Sequence, residues 1–226
     1  MAVLISVITP SIRKEGLKLV EKALKRQTLD EYEWIVNDKR YEGGVWGLGR
    51  AYNDLIRQAK GELIVSWQDY TFANPDCLSR FWNCYEKNPN SIVSAVGNKY
   101  KDDSFMVKTW QDPRQRSDQG TFYECYPWDI EANLCAVPKQ AFYDVGGFDE
   151  EMDFIAYGFD ARGVFERLDM VDGYKFYLDQ ANESFSLEHD RPKDWDKNNF
   201  ILTWLDYKAK NIEKGRYPAL DYLKRA

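Results

Sequence analysis

Along the chain, near-continuous apolar runs alternate with stretches whose apolar residues recur every three or four positions. Val3 to Thr9 (VLISVIT) is the first run, closed by Pro10. Its lack of polar alternation predicts a strand buried on both faces. Leu17, Val20 and Leu24 then fall on one helical face. Glu33 to Asn37 (EWIVN) predicts a second strand, with Asp38 at its carboxyl end. From Leu48 to Lys60, Ala51, Tyr52, Leu55, Ile56 and Ala59 keep helical spacing until Gly61 stops it. Glu62 to Trp67 predicts a third strand. Asn74-Pro75 reads as the N-cap and first position of a helix whose buried stripe is Leu78, Phe81, Trp82 and Tyr85. Ile92 to Val96 predicts a fourth strand. Such alternation implies an α/β fold with a central, mostly parallel sheet flanked by helices. Ligands of these sheets bind beyond the carboxyl ends of the strands, where Asp38 and Asp69 both lie.

The second half is less regular. Lys99 to Tyr126 is polar and carries Asp102, Asp103, Arg114, Arg116, Asp118 and Gly120; a loop of that length is functional or mobile. Leu134 to Val137 resumes a strand, and Pro138 to Val145 predicts a short helix ended by Gly146. Asp160 to Leu168 predicts another helix, Tyr174 to Leu178 and Ser184 to Leu187 two late strands. In Asp194 to Lys214, Phe200, Trp204, Leu205 and Ile212 keep helical spacing. That stripe packs on the domain, on a partner or, peripherally, on a membrane. With no repeat or linker, the expectation is a single domain: a half over 1–98, a second over 99–192, and a helical segment over 193–226.

Composition narrows the function. In 226 residues, 44% are hydrophobic, enough for a full core. The net charge of −6 argues against a nucleic-acid binder that relies on a basic surface. No apolar run approaches the ~20 residues of a membrane span, and Met1 to Pro10 lacks the basic region and cleavage site of a signal peptide. Aromatics at 15% serve packing, or line sugar and base sites. Cys77, Cys84, Cys125 and Cys135 show no zinc spacing. Cys77 and Cys84, on one helix, stand ~10 Å apart, too far for a disulfide. Four reduced thiols point to a cytoplasmic protein.

Four features carry candidate chemistry. Gln68-Asp69-Tyr70 follows the third strand; Asp69 binds a divalent cation there, or is a solvated acid ahead of a helix cap. Asp160 begins a helix, where the dipole favours an acid whatever its job and where a general base is the functional reading. His189, the only histidine, stands in Leu187-Glu188-His189-Asp190-Arg191; it is a metal ligand partnering Asp69, or a structural or exposed imidazole. Gly43, Gly44, Gly47 and Gly49 do not match G-x-G-x-x-G and follow the second strand rather than the first, which disfavours a dinucleotide fold.

Taken together, residues from about Leu4 to Arg191 resemble glycosyltransferases of the GT-A fold, a Rossmann-like single α/β domain, chiefly the inverting family 2. The later half also resembles the β-1,4-galactosyltransferase and polypeptide N-acetylgalactosaminyltransferase group. Ser6-Val7-Ile8-Thr9-Pro10-Ser11 is similar to the family's first strand and uridine-contacting turn. Trp34-Ile35-Val36-Asn37-Asp38 is similar to its second strand, which ends in base-contacting acids. Gly49-Arg50-Ala51-Tyr52-Asn53 resembles the helix before the metal motif, and Gln68-Asp69-Tyr70 falls where the family carries D-x-D, with only Asp69 acidic. Asn133 to Lys139, then Gly146-Gly147-Phe148-Asp149-Glu150, resemble the wall of the sugar pocket. Tyr157-Gly158-Phe159-Asp160 is similar to the galactosyltransferase W-G-G-E-D segment, and His189 to the late metal-binding histidine.

The resemblance implies an inverting transfer of a hexose from a UDP-sugar to a carbohydrate or other hydroxyl acceptor. Its nucleotide contacts would be Thr9, Pro10, Ser11, Arg13, Asp38, Arg50, Asn53, Gln68 and Asp69. Mn²⁺ or Mg²⁺ would sit on Asp69 and His189, and Asp160 would be the base. Trp128, Asp129, Asn133, Gly147 and Phe159 are the sugar and acceptor candidates: an aromatic face stacks on a sugar ring and a carboxylate accepts its hydroxyl protons. Two rivals stay open. A nucleotidyltransferase would carry a glycine-rich basic loop directly after the first strand, where Pro10-Ser11-Ile12-Arg13-Lys14 stands. A non-catalytic nucleotide-sugar-binding module would account for the reduced Gln68-Asp69-Tyr70 motif.

Overall fold

The structure is a computed structural model. It describes residues 3–11, 13–39, 41, 47–155, 160–188 and 197–224, with the side chains of 160 and 197–200 outside that description.

Strand β1 (Ile5–Pro10) is wholly buried, followed by helix α1 (Lys14–Leu24) and β2 (Tyr32–Asn37). Next come α2 (Leu48–Gln58), β3 (Leu63–Trp67), β4 (Thr71–Ala73), α3 (Cys77–Lys87) and β5 (Ser91–Tyr100). The second half adds β6 (Lys108–Trp110), β7 (Phe122–Glu124), β8 (Leu134–Pro138), α4 (Lys139–Asp144) and α5 (Met152–Ile155). It closes with α6 (Asp160–Asp169), β9 (Lys175–Leu187) and α7 (Lys197–Glu213). The main sheet runs β2-β1-β3-β8-β5-β9-β4. Only β8 and β4 run against the others, so the sheet is mixed but mostly parallel.

Period-two alternation feeds a core on each face of the sheet. Ile5 and Val7 of β1, with Leu63, Val65 and Trp67 of β3, pack beneath Leu19, Val20 and Ala23 of α1 and Leu78 and Phe81 of α3. Ile8 and Ile64 point the other way, against Tyr52, Leu55 and Ile56 of α2 and Val164, Phe165 and Leu168 of α6. Each fully buried aliphatic or aromatic side chain contributes roughly 1.5–3 kcal/mol, which outweighs the few tenths separating ordinary helix propensities. That is why the apolar pattern located these elements.

Three expectations change. The stretch from Lys99 to Tyr126 is not an irregular loop: β6 pairs with Lys99 and Tyr100 of β5, and β7 with Tyr177 to Asp179 of β9. Beneath them Asp112, fully buried, takes the Gly97 N–H at 2.7 Å and pairs with Arg114. Arg114 also donates to the carbonyls of Asp129 and Ala95. Second, the two late strands are one strand, β9, whose register against β5 shifts between Ala95 and Val96. Third, the C-terminal stripe is buried only in part. Trp204 packs on Met152, Ile155 and Ile201, while Leu205 and Ile212 stay exposed. No helix among the described residues is long and apolar enough to cross a membrane.

Candidate functional site

Because β1, β2 and β3 are parallel neighbours, their carboxyl ends deliver polar residues to one edge of the sheet. Pro10 is paired with Asn37, and Ser66 with Ile8. Beyond them stand Ser11, Asp38 and Gln68-Asp69. Antiparallel β8 begins at this same edge, Leu134 opposite Trp67, and the Gln68 N–H donates to the Asn133 carbonyl at 2.9 Å. The structure therefore brings Asn133 to the ends of the nucleotide-side strands.

Asp69 is buried at the tip of β3, its side chain only 4% exposed. Arg13, just ahead of α1, grips it from the side: Nε donates to Oδ2 at 2.8 Å and Nη2 to Oδ1 at 2.5 Å. The Ser11 hydroxyl donates to Oδ2 as well, and accepts the Arg13 backbone N–H at 2.9 Å. The guanidinium lies 5.1 Å over the Tyr70 ring. Asp69 cannot swing away, because α1 presses on it: a Cβ at Gly16 would meet the Asp69 Cβ at 2.8 Å. Thr9 faces inward as a joint between strands, donating to the Trp67 carbonyl at 2.7 Å and accepting the Trp34 indole N–H at 3.0 Å. Asp38 is exposed at the end of β2.

Arg50 and Asn53, both on α2, share Glu150, which accepts from Arg50 Nε at 3.3 Å and from the Asn53 amide at 3.0 Å, and otherwise meet different partners. The Arg50 guanidinium lies 5.0 Å over the Tyr41 ring. The Tyr41 hydroxyl donates to Asp54 at 2.8 Å and accepts from Asn37 at 3.1 Å. Burial, then the Asp54 carboxylate, push that hydroxyl's pKa well up. Arg50 thus reaches the β2 end through an aromatic that sequence reading passed over. Asn53 turns to the glycine turn instead: its amide donates to the Phe148 carbonyl at 2.9 Å and accepts the Phe148 N–H at 2.8 Å. Gly147 holds φ +86°, and a Cβ there would lie 2.4 Å from the Asn53 Oδ1, so backbone and space both require glycine.

Behind this turn lies a polar knot that no sequence signal indicated. Asp149, buried, accepts the hydroxyls of Tyr207 at 2.8 Å, Tyr217 at 3.2 Å and Tyr222 at 3.0 Å. Arg167, equally buried, donates to the Val145 and Gly147 carbonyls, each at 2.5 Å. Burial pushes its guanidinium down to about 10, still charged at neutral pH. The C-terminal residues are thereby tied to the turn that the resemblance assigns to the pocket wall.

On the acceptor side, Trp128 is exposed and stacks on Tyr126 with ring centres 4.5 Å apart. Asp129 accepts the Tyr126 N–H at 3.1 Å. Both sit on a single 3₁₀ turn, Pro127–Asp129, against which α6 packs. Asp160 is the first residue of α6, with its side chain outside the described part; Phe159 and His189 lie outside the described residues altogether.

The expected cation finds a poor fit at Asp69. A divalent ion takes carboxylate oxygens at about 2.0–2.6 Å, but both Asp69 oxygens already face Arg13 and the neighbouring side chain is the neutral Gln68. Among the described residues no group of three His, Cys, Asp or Glu side chains could hold a metal ion.

No family model matches the chain, and no curated protein matches its sequence. Its structure is similar to that of S. aureus TarS 1-349 in complex with UDP-GlcNAc, with a TM-score of 0.59 at 14% identity over 84% of this chain and 60% of that one. A further structure of S. aureus TarS 1-349 matches with a TM-score of 0.60 at 14% identity, over 81% and 60%. The chain thus spans about 60% of the length of those structures. At this identity the likeness carries the fold alone, and the fold is that of the GT-A glycosyltransferases.

Proposed function

We propose that the chain is a glycosyltransferase that moves a hexose from a UDP-sugar to a carbohydrate or other hydroxyl acceptor, with inversion. The observation that carries this reading is the shared fold with a structure holding UDP-GlcNAc, combined with the polar cluster at the ends of β1, β2 and β3. Ser11, Arg13, Asp38 and Gln68-Asp69 would face the nucleotide, with Arg50 and Tyr41 at the β2 end. Thr9, Pro10 and Asn53 would shape this cleft from behind. Asn133, Gly147, Trp128 and Asp129, with Phe159, would line the sugar and acceptor side. Asp160 would take the acceptor proton as the acceptor oxygen bonds to the anomeric carbon; the bond from that carbon to the diphosphate breaks and UDP leaves. The resemblance would put Mn²⁺ or Mg²⁺ on Asp69 and His189, but the hold of Arg13 on both Asp69 oxygens stands against it. Four free cysteines support a reducing compartment such as the cytoplasm.

A panel of UDP-hexoses, each with and without Mn²⁺, tests the proposal through release of UDP and saturation-transfer NMR. Binding and slow hydrolysis of at least one UDP-sugar is expected. Binding with no turnover under any acceptor would leave a binding module; turnover of a sugar phosphate with UTP would make it a nucleotidyltransferase.

A further inference from the structure

The Arg13–Asp69 pair bears on how the donor's charge is met, given the UDP-sugar reading above. A guanidinium has two bonding edges. One edge of Arg13, Nε with Nη2, is fully spent on the two oxygens of Asp69. The opposite edge, Nη1 with the second Nη2 proton, carries no hydrogen bond among the described residues. The arginine side chain is 42% exposed while its partner is 4% exposed, so the pair presents the cation outward and keeps the anion inside. Three further contacts fix this direction: Ser11 bridges the Arg13 backbone to Asp69, the Tyr70 ring lies under the guanidinium, and Gly16 holds α1 against Asp69. An arginine fork so oriented matches two phosphate oxygens.

We propose that Arg13, held by Asp69, supplies the positive charge that binds the donor diphosphate, and that Asp69 is a positioning residue for this arginine rather than a metal ligand. The chemistry of the site agrees. Gln68 removes the second carboxylate that a cation would share, and an ion on Asp69 would place two positive groups on one acid. With an arginine as the charge, the same arrangement is complete: the buried acid neutralises and aims Arg13, and Arg13 meets the diphosphate as negative charge grows on it during departure.

Calorimetric titration of UDP and of uridine separates the possibilities. Wild-type protein should bind UDP with the same affinity, within about twofold, in EDTA and in Mn²⁺. Arg13→Gln should weaken UDP by at least tenfold and leave uridine unchanged, because uridine lacks the diphosphate. Arg13→Lys should recover part of the loss. Asp69→Asn should weaken UDP in EDTA, where a metal ligand would have no effect left to lose. UDP binding that collapses in EDTA in the wild type, with Arg13→Gln unaffected in Mn²⁺, overturns the inference and leaves the UDP-sugar reading standing. Should a variant fail to fold, the wild-type titrations in EDTA and in Mn²⁺ still decide: UDP binding lost in EDTA overturns the inference. If neither UDP nor uridine binds the wild type in either condition, the UDP-sugar reading itself falls and takes this inference with it.

Discussion

Asp153 caps helix α2 from far along the chain: its Oδ1 accepts the N–H of Gly49, 104 positions earlier, at 2.6 Å, and its Oδ2 accepts the Arg50 N–H at 3.2 Å. Helix α2 has no side-chain cap of its own, since Gly47 stands at its N-cap. A Cβ at Gly47 would lie 2.5 Å from the Asp153 carboxylate, so a side chain there would have to displace the cap. A tertiary contact thus does what a local Ser or Asp usually does, worth about 1 kcal/mol. It also joins α5, just beyond the Gly146 turn, to the helix beside the β2 end.

The Asp153 cap has a pH signature. Burial raises its carboxyl pKa above 3.8, the two backbone N–H groups oppose that, and Glu150 adds to it. The folded state then holds this proton more tightly than the unfolded state does. Stability from this group is present below its ordinary pKa and is lost as pH rises from there through the folded pKa. Urea denaturation from pH 4 to 7 should show the wild type losing ground against Asp153→Asn across that interval. Parallel curves would mean that Asp153 titrates as it does in an unfolded chain.

Gly146 should not tolerate a side chain. It holds φ +71°, and a Cβ would sit 1.6 Å from the Leu220 carbonyl oxygen. The Leu220 and Leu223 N–H groups donate to the Val145 and Gly146 carbonyls, so the C-terminal residues must move if the turn changes. Gly146→Ala is expected to cost at least the roughly 1–3 kcal/mol of such backbone strain. Limited proteolysis should then cleave between Arg216 and Lys224 faster than in the wild type. Unchanged melting and cleavage would show that this contact is not needed.

Arg167 should be among the costliest single substitutions. It satisfies carbonyls of Val145, Gly147, Gly163 and Pro218 from a fully buried position. Arg167→Met matches its length but takes the guanidinium donor from each of those carbonyls and removes one buried cation near Asp149. Equilibrium denaturation at neutral pH should record a loss of about 3–5 kcal/mol, as for other broken buried charge networks. A loss below 1 kcal/mol would mean that water replaces the guanidinium.

For the proposed transfer, Asp160→Asn keeps the shape at the start of α6 and removes the base. Turnover should fall roughly 10²–10⁴-fold, with UDP-sugar affinity unchanged. Near wild-type turnover would move the base elsewhere, with Asp129 and Glu150 next in line. Loss of donor binding instead would make Asp160 a ligand of the sugar hydroxyls.

What the chain reveals on its own is whatever depends on burial pattern. β1, β2, β3, β5 and β8, and the stripes of α1, α2 and α3, are legible because apolar burial is the largest local term and repeats at two or about 3.6 residues. The meeting of Ser11, Asp38 and Asp69 follows from parallel strands alone. Strands β4, β6 and β7 are not legible: each has three residues, and Lys108–Trp110 and Phe122–Glu124 are polar or exposed, held by pairing to β5 and β9 rather than by their own pattern. The polar contacts are hidden for a related reason. The Arg13–Asp69 pair spans 56 positions, Asn53–Phe148 spans 95 and Asp149–Tyr222 spans 73. A carboxylate carries the same letter whether it faces a cation, a guanidinium or three phenols. Only the packing of the sheet decides which partner is close enough to neutralise it, and that choice settles what the residue can do.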